Sequence, residues 1–194
     1  MVKIGVISVQ GDVSEHISAM ERAMEIYGFD GSVVAVRRLK DIEGSDAVVI
    51  PGGESTTISR IMKIEGLKDW IVKRDEENQI PIMGTCAGCV ILAKKIDSGE
   101  VYGLELMDME VKRNAFGRQR ESFETMVEVV GFEKPFHAVF IRAPIIERVW
   151  GNCKAIAKFE NKIVGALQGK KLALSFHPEL TEDFRFHRMF LEMI

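Results

Sequence analysis

The stretch Gly84-Thr85-Cys86-Ala87-Gly88 constrains this chain more than any other. It stands between an apolar run, Ile80-Pro81-Ile82-Met83, and a helix-like run from Val90 to Lys95, so it reads as a sharp strand-to-helix turn with a cysteine at its tip. Flanking glycines are what such a turn needs, because it brings strand and helix backbones closer than side chains allow. The pattern has the form of the G-x-S-x-G nucleophile elbow, with Cys in place of Ser. A thiol at the start of a helix meets unpaired N–H groups and the positive end of the helix dipole, surroundings that favour an anion.

The elements around the elbow suit it. Residues 2–9 are rich in Val and Ile, as a central parallel strand buried on both faces must be. Asp12 with Glu15 makes a capping box for a helix carrying Ile17, Met20, Ala23, Met24 and Tyr27 at helical spacing and ending at Gly28. Strands follow at 32–36 and 46–50, the second stopping at Pro51-Gly52-Gly53. A helix begins at Glu54-Ser55-Thr56-Thr57, and another follows Gly66, ending in a charged run, 73–77, read as a solvated helix end. Past the elbow helix the chain turns to successive strands at 104–111, 124–130, 137–141, 155–159 and 163–168, with Glu160-Asn161-Lys162 as a hairpin turn. A last strand, 171–176, runs into His177-Pro178-Glu179, and an amphipathic helix closes the chain over 183–193. Early βα alternation followed by mixed strands predicts an α/β fold: one domain over 1–194, with an open, mostly parallel sheet, mixed at one edge, and helices on both faces. Ligands of such sheets bind beyond the carboxyl ends of strands, where stretches 51–54, 84–88 and 177–179 all fall.

A net charge of −3 excludes nucleic acid or an anionic membrane as the natural partner. The N-terminus enters a strand pattern at once, and no run approaches the roughly 18 apolar residues of a membrane span, which predicts a cytoplasmic protein. Three cysteines, Cys86, Cys89 and Cys153, form no disulfide framework and suit a reducing compartment. Cys89 imitates a C-x-x-C partner of Cys86 but falls inside the helix pattern, so Cys89 and Cys153 read as core residues, and no metal or cofactor is expected.

A cysteine nucleophile needs a base, and the base needs an orienting carboxylate. His177 and Glu179, one residue apart on an extended chain, can point the same way, Glu179 fixing the imidazole's tautomer and His177 facing Cys86. The N–H of Ala87 sits in the elbow's oxyanion position, and Gly53 can present a second donor unobstructed by a Cβ. The chemistry predicted is acyl transfer through a thioester. Taken singly these pieces have plainer readings, a packing turn, a structural histidine and a simple loop. Their joint placement at strand ends is what favours a site. His16, His137 and His187 are expected to cap or pack.

With these motifs in place, the sequence resembles the class I (triad) glutamine amidotransferases, and more narrowly the glutaminase subunits of pyridoxal 5'-phosphate synthase. The narrower likeness rests on Gln10-Gly11-Asp12-Val13 with Glu15-His16, Arg113-Asn114-Ala115-Phe116-Gly117-Arg118-Gln119 followed by Ser122-Phe123-Glu124, Phe140-Ile141-Arg142-Ala143-Pro144, Ala166-Leu167-Gln168-Gly169 and Ser175 to Thr181. Phe116, where tyrosine is usual, and Cys89, where an aliphatic residue is common, are mild departures.

The resemblance implies hydrolysis of L-glutamine to glutamate and ammonia by Cys86, His177 and Glu179. Gly52, Gly53, Glu54, Arg113, Ile141 and Arg142 would be the substrate-binding positions. It also implies a partner, a (β/α)8-barrel synthase subunit that receives the ammonia and without which the glutaminase is weak, and Gln10 is expected near that partner. The same triad would serve a glutaminase subunit of another amidotransferase, such as the one feeding imidazole glycerol phosphate synthesis. A non-catalytic glutamine- or partner-binding module of this fold, and a cysteine hydrolase resembling the heat-shock-type peptidases, are the other readings.

Overall fold

The computed structural model describes residues 1–78, 80–97, 99–115 and 122–194. In chain order the elements are β1 (Val2–Ile7), α1 (Val13–Tyr27), β2 (Gly31–Val36), α2 (Leu39–Ile42), β3 (Ala47–Ile50), α3 (Ser55–Ile64), α4 (Leu67–Asn78), β4 (Ile82–Thr85) and α5 (Ala87–Leu92). Then come β5 (Ala93–Ile96), β6 (Met107–Lys112), β7 (Ser122–Val129), β8 (Phe136–Ile141), β9 (Ile145–Val149), β10 (Lys154–Phe159), β11 (Lys162–Gln168), β12 (Lys171–Leu174) and α6 (Arg185–Leu191).

Among the described residues the main path of the sheet is β2-β1-β3-β4-β12-β11-β10-β7-β8, and a side branch links β5 to β6, β6 to β9 and β9 to β11. The block from β2 to β12 is parallel, and everything from β11 to β8 along the path is antiparallel. The expected mixed sheet is therefore present. Because β1 has β2 on one side and β3 on the other, the connections after β1 and β3 leave toward opposite faces, and a crevice opens between them.

Alternation along the central strands divides the core. Ile4 and Val6, Ala47 and Val49, Met83, and Leu172 and Leu174 face the layer holding α1 and α6. Ile7, Val48 and Ile50, Ile82, and Ala173 face the layer holding α3, α4 and α5. Strands buried on both faces tolerate no charge along this stretch, which accounts for the nearly continuous Val, Ile and Ala of β1 and β3. The first layer is built on a cluster of phenylalanines in tilted and edge-on contact. The Phe176 ring centre lies 5.6 Å from Phe136, 5.5 Å from Phe140 and 5.4 Å from Phe186. Each such pair adds about 0.5–1.5 kcal/mol beyond burial, so the residue preceding His177 is held from three sides.

Several expectations need correction. The Asp12–Glu15 capping box does not form: Asp12 makes no side-chain cap bond to α1, and its carboxylate turns toward the crevice. The elbow helix stops at Leu92, and Ala93–Ile96, expected as its continuation, is β5 paired parallel to β6. Tertiary pairing overrides a helical propensity there that only a few residues support. Strand β9 and the short α2 were not foreseen. The charged run 73–77 is not wholly solvated, since Asp75 holds the Nζ of buried Lys171 at 2.7 Å, anchoring the foot of β12. The hairpin at Glu160 and the left-handed stop of α1 at Gly28 (φ 72°) are as expected.

Candidate active site

Cys86 stands between β4 and α5 at φ 47°, ψ −101°. A non-glycine residue in such a conformation carries about 1–3 kcal/mol of strain, which only a rigid surround sustains. That surround is visible. A Cβ on Gly84 would lie 2.6 Å from the Gly88 backbone, and one on Gly88 would lie 2.1 Å from the Ile50 carbonyl oxygen, so both glycines are required for β3, β4 and α5 to meet. The Cys86 N–H donates to the Leu174 carbonyl at 2.8 Å, tying the turn to the end of β12. The Cys86 Sγ lies 3.8 Å from the Ile141 carbonyl.

His177 arrives by a change of strand partner. Leaving β12, the chain donates from Ser175 N–H to Val164 and from His177 N–H to Val139, each at 2.8 Å, which seats it on β8. Pro178 then opens a 3-10 turn, Pro178–Leu180, that folds Glu179 back. His177 Nδ1 meets Glu179 Oε1 at 2.7 Å, and both residues are buried. Burial opposes a charge on His177, but contact with the Cys86 thiol and the Glu179 carboxylate outweighs it and raises the imidazole to about 10. Burial would likewise raise Glu179, yet His16 and His177 together hold it well below the usual carboxylate range. The pair is an anion facing a ring that keeps its proton. His177 Nε2 is buried and has no hydrogen-bond partner among the described residues, leaving it free for a thiol or a leaving group.

The crevice between β1 and β3 brings Gln10-Gly11-Asp12 against Gly52-Gly53. Asp12 N–H donates to the Gly52 carbonyl at 3.3 Å, and Gln10 Oε1 accepts from the Glu54 N–H at 2.8 Å. Gly53 has φ 144°. A Cβ on Gly52 would reach 2.4 Å from His177 Cε1 and 2.7 Å from Asp12 Oδ2, so the turn passes over the imidazole with no space for a side chain. The Glu54 carboxylate caps α3, accepting from Thr56 N–H at 3.0 Å and Thr57 N–H at 2.7 Å. Although its partial burial works against ionisation, these bonds hold Glu54 below its ordinary value.

Arg113 reaches the same place from β6. Its guanidinium donates to the hydroxyls of Ser55 and Thr56, each at 3.2 Å, beside the Gly52–Glu54 turn. Ile141 and Arg142 are exposed at the end of β8, Arg142 with φ 42°, and Ala115 N–H to Ala143 O at 3.2 Å joins the two loops. Thus Gln10, the 52–54 turn, Cys86, Ala87, Arg113, Ile141, Arg142, His177 and Glu179 all lie on or beside the segments that meet at this end of the sheet, whereas Phe116, Gly117, Arg118 and Gln119 lie outside the described residues. Cys89 and Cys153 are buried, and burial pushes both thiols up, Cys153 to about 11. His137 pairs with Glu124 at 2.9 Å on the surface.

Two residues have a part here beyond the capping and packing expected of them. Asp12 Oδ2 lies 3.5 Å from His177 Nδ1, and His16, expected merely to pack, meets Glu179 Oε1 at 3.2 Å and Thr85 Oγ1 at 2.9 Å. Only the place of Asp12 in the loop after β1, and of His16 in the first turn of α1 that follows it, hinted at this, since that loop borders the crevice. Asp12, His177 and Glu179 each bring a potential ligand atom within 4.8 Å of the others, but His177 and Glu179 spend theirs on one another.

Known proteins share this fold. A solved structure titled as a glutamine amidotransferase superposes with TM-score 0.88 at 44% identity, covering 98% of this chain and 97% of that one. A glutamine amidotransferase from Thermotoga maritima, 18% identical with TM-score 0.64 over 98% of this chain and 89% of that one, shares the fold. Proteins named pyridoxal 5'-phosphate synthase subunit PdxT from Pyrococcus furiosus and Archaeoglobus fulgidus are 51% and 49% identical. The first alignment covers 100% of both chains, and the second covers 99% of this chain and 98% of that one. The profile of the SNO glutamine amidotransferase family matches residues 6–194, and with these relatives it establishes that the chain belongs to that family.

Proposed function

We propose that this protein hydrolyses L-glutamine to L-glutamate and ammonia through a thioester on Cys86, and that it serves as the glutaminase subunit of a pyridoxal 5'-phosphate synthase. The observation that carries the reading is the strained Cys86 turn set beside a buried His177–Glu179 pair 2.7 Å apart. Relatives named for that synthase, alike over their full length, supply the pathway.

Cys86 Sγ attacks the side-chain amide carbon, a C–S bond forms, and the carbonyl π pair moves to oxygen. The N–H groups of Ala87 and Gly53 receive that oxygen. Asp12 anchors the Gly52–Gly53 peptide through the Gly52 carbonyl, so the loop after β1 governs how the Gly53 N–H is presented. His177, protonated from the thiol, passes the Nε2 proton to the amide nitrogen as the C–N bond breaks, and ammonia leaves. Water then attacks the thioester, giving one proton to His177 Nε2. The C–S bond breaks, the thiolate regains that proton, and glutamate departs. Glu179 keeps Nδ1–H in place throughout. Arg113, Arg142 and the Ile141 carbonyl, with the backbone of Gly52, Gly53 and Glu54, hold the α-carboxylate and α-ammonium by charge-assisted hydrogen bonds.

Ammonia released into neutral water is protonated to ammonium, which has no lone pair to attack with, so the reaction belongs beside its consumer, a (β/α)8-barrel synthase subunit docked over this end of the sheet. The bond between Gln10 and the Glu54 N–H supports a docking surface beside the oxyanion turn. The compartment is the cytoplasm, in keeping with three free thiols, and no helix among the described residues is long and apolar enough to cross a membrane.

The test is glutamate release from L-glutamine by the chain alone and with a pyridoxal 5'-phosphate synthase barrel subunit, with Cys86→Ala as control. Strong stimulation by the barrel is expected. High activity indifferent to it would overturn the pathway assignment, and no release in either mixture would overturn the reaction.

A further inference from the structure

Against the Glu179 carboxylate, besides His177, lies a buried polar group that the reaction as written does not use. His16 projects from the first turns of α1 and is 1% exposed. Its Nε2 lies 3.2 Å from Glu179 Oε1 and 2.9 Å from Thr85 Oγ1, while its Nδ1 is buried without a partner among the described residues. The oxygen it approaches is the one that His177 Nδ1 meets at 2.7 Å.

These contacts decide where the His16 proton sits. A bare Nε2 would set a lone pair against a carboxylate oxygen at 3.2 Å, which is repulsive. A proton on Nε2 satisfies both neighbours, the Thr85 hydroxyl and the carboxylate sharing it. A bare Nδ1 in a dry pocket then costs less than an unpartnered N–H or a positive charge would. Glu179 Oε1 thus accepts two N–H groups, and Thr85, adjacent to Cys86 in the chain, fastens the arrangement to the strand that carries the nucleophile.

We infer that His16 is a positioning residue for the reaction proposed above, on which this inference rests: its Nε2–H, clamped by Thr85, pins Glu179 so that the carboxylate stays aligned on His177 as the imidazole gains and loses its second proton. With two donors on Oε1 instead of one, the carboxylate is held when the ring shifts. Without His16, Glu179 keeps a single donor and a buried Oε2 that has none among the described residues, and it is free to swing.

Two measurements test this. Imidazole ¹⁵N resonances of the full chain read the tautomer directly and need no activity. A protonated Nε2 and bare Nδ1 on His16 are expected, and the opposite tautomer overturns the inference. Glutamine turnover is then measured with the barrel subunit present for wild type, His16→Leu, His16→Gln and Cys86→Ala. The glutamine amide nitrogen reaches about as far as imidazole Nε2, so His16→Gln should retain most of kcat. His16→Leu should lose about tenfold or more in kcat with KM unchanged, the scale on which outer-shell partners act. Equal kcat for His16→Leu and wild type overturns the inference, as does an equal loss in His16→Gln and His16→Leu, which would make bulk the only role. Should His16→Leu fail to fold, Thr85→Val, which removes the clamp alone, is expected to lower kcat at unchanged KM, and an unaltered kcat overturns the inference. A wild type no faster than Cys86→Ala refutes the glutaminase reading instead and leaves the tautomer result standing.

Discussion

His187 on α6 makes the stability of this protein sensitive to acid in a way that one substitution should remove. Its side chain is fully buried, and neither ring nitrogen has a hydrogen-bond partner among the described residues. Burial lowers the imidazole to about 4 against an ordinary value of 6.5. The sign follows from which state binds the proton. Above the ordinary value both folded and unfolded chains carry a neutral ring and His187 contributes nothing. Between 6.5 and about 4 the unfolded chain takes up a proton that the folded chain refuses, so stability falls as pH falls, and below about 4 the loss is complete. A gap of that size corresponds to about 3 kcal/mol in all, of which about 1.4 kcal/mol is already lost at a pH about one unit below the ordinary value. Urea unfolding of wild type and of His187→Leu, from about pH 8 to about pH 4, reads the effect as a difference between the two curves. Other groups titrate in both proteins and cancel. The wild-type curve should drop below that of the variant by these amounts as the buffer is acidified, and parallel curves across the range would refute the reasoning.

Cys86→Ala should abolish glutamate release with the melting temperature of the chain retained or raised, since the alanine lifts no packing, whereas Cys89→Ala, buried in the helix behind it, should leave the rate nearly unchanged; a steady-state glutaminase assay and a thermal melt decide both. Gly52→Ala forces a Cβ to 2.4 Å from His177 Cε1, so the turn or the ring must move, and kcat should fall by about tenfold or more, the cost of a small misplacement of reacting groups; an unchanged kcat would show the imidazole is not fixed where it lies. Phe176→Ala removes the ring cluster that seats His177 and should cost about 3–5 kcal/mol in denaturant unfolding. Gln10→Ala frees the Glu54 N–H and should blunt stimulation by the barrel subunit more than it alters barrel-independent release, measured by titrating the barrel into the assay.

The parallel half of the fold could be read in the sequence because it is made of local signals. Burial on both faces forces the apolar runs of β1 and β3, and tight crossings force the glycines at 84 and 88, so strand, turn and helix announce themselves. The meeting of Cys86 with His177 was legible for the same reason, as each ends a strand. What stayed hidden depends on partners far along the chain. Ala93–Ile96 looks helical until Met107 and Val111 are placed beside it, and Ile145–Val149 carries charges that make sense only at the edge of β6. His16 sits on an ordinary amphipathic helix, and nothing within that helix shows that Glu179, 163 positions on, will be packed against it. Asp12 shows the limit from the other side. Its spacing to Glu15 satisfies a capping rule, but the crevice offers its carboxylate a cation and its amide a carbonyl, and those contacts prevail.

β12, which completes the parallel block and delivers His177, lies between β4 and β11 although it is the last strand made. During synthesis the sheet must wait with a gap at its centre until β12 emerges, because it is Leu174 that holds the Cys86 N–H. A chain cut short by premature termination or by a protease near its end therefore has neither base nor closed core. A copy without β12 lacks both the base and the central strand, and releases no ammonia.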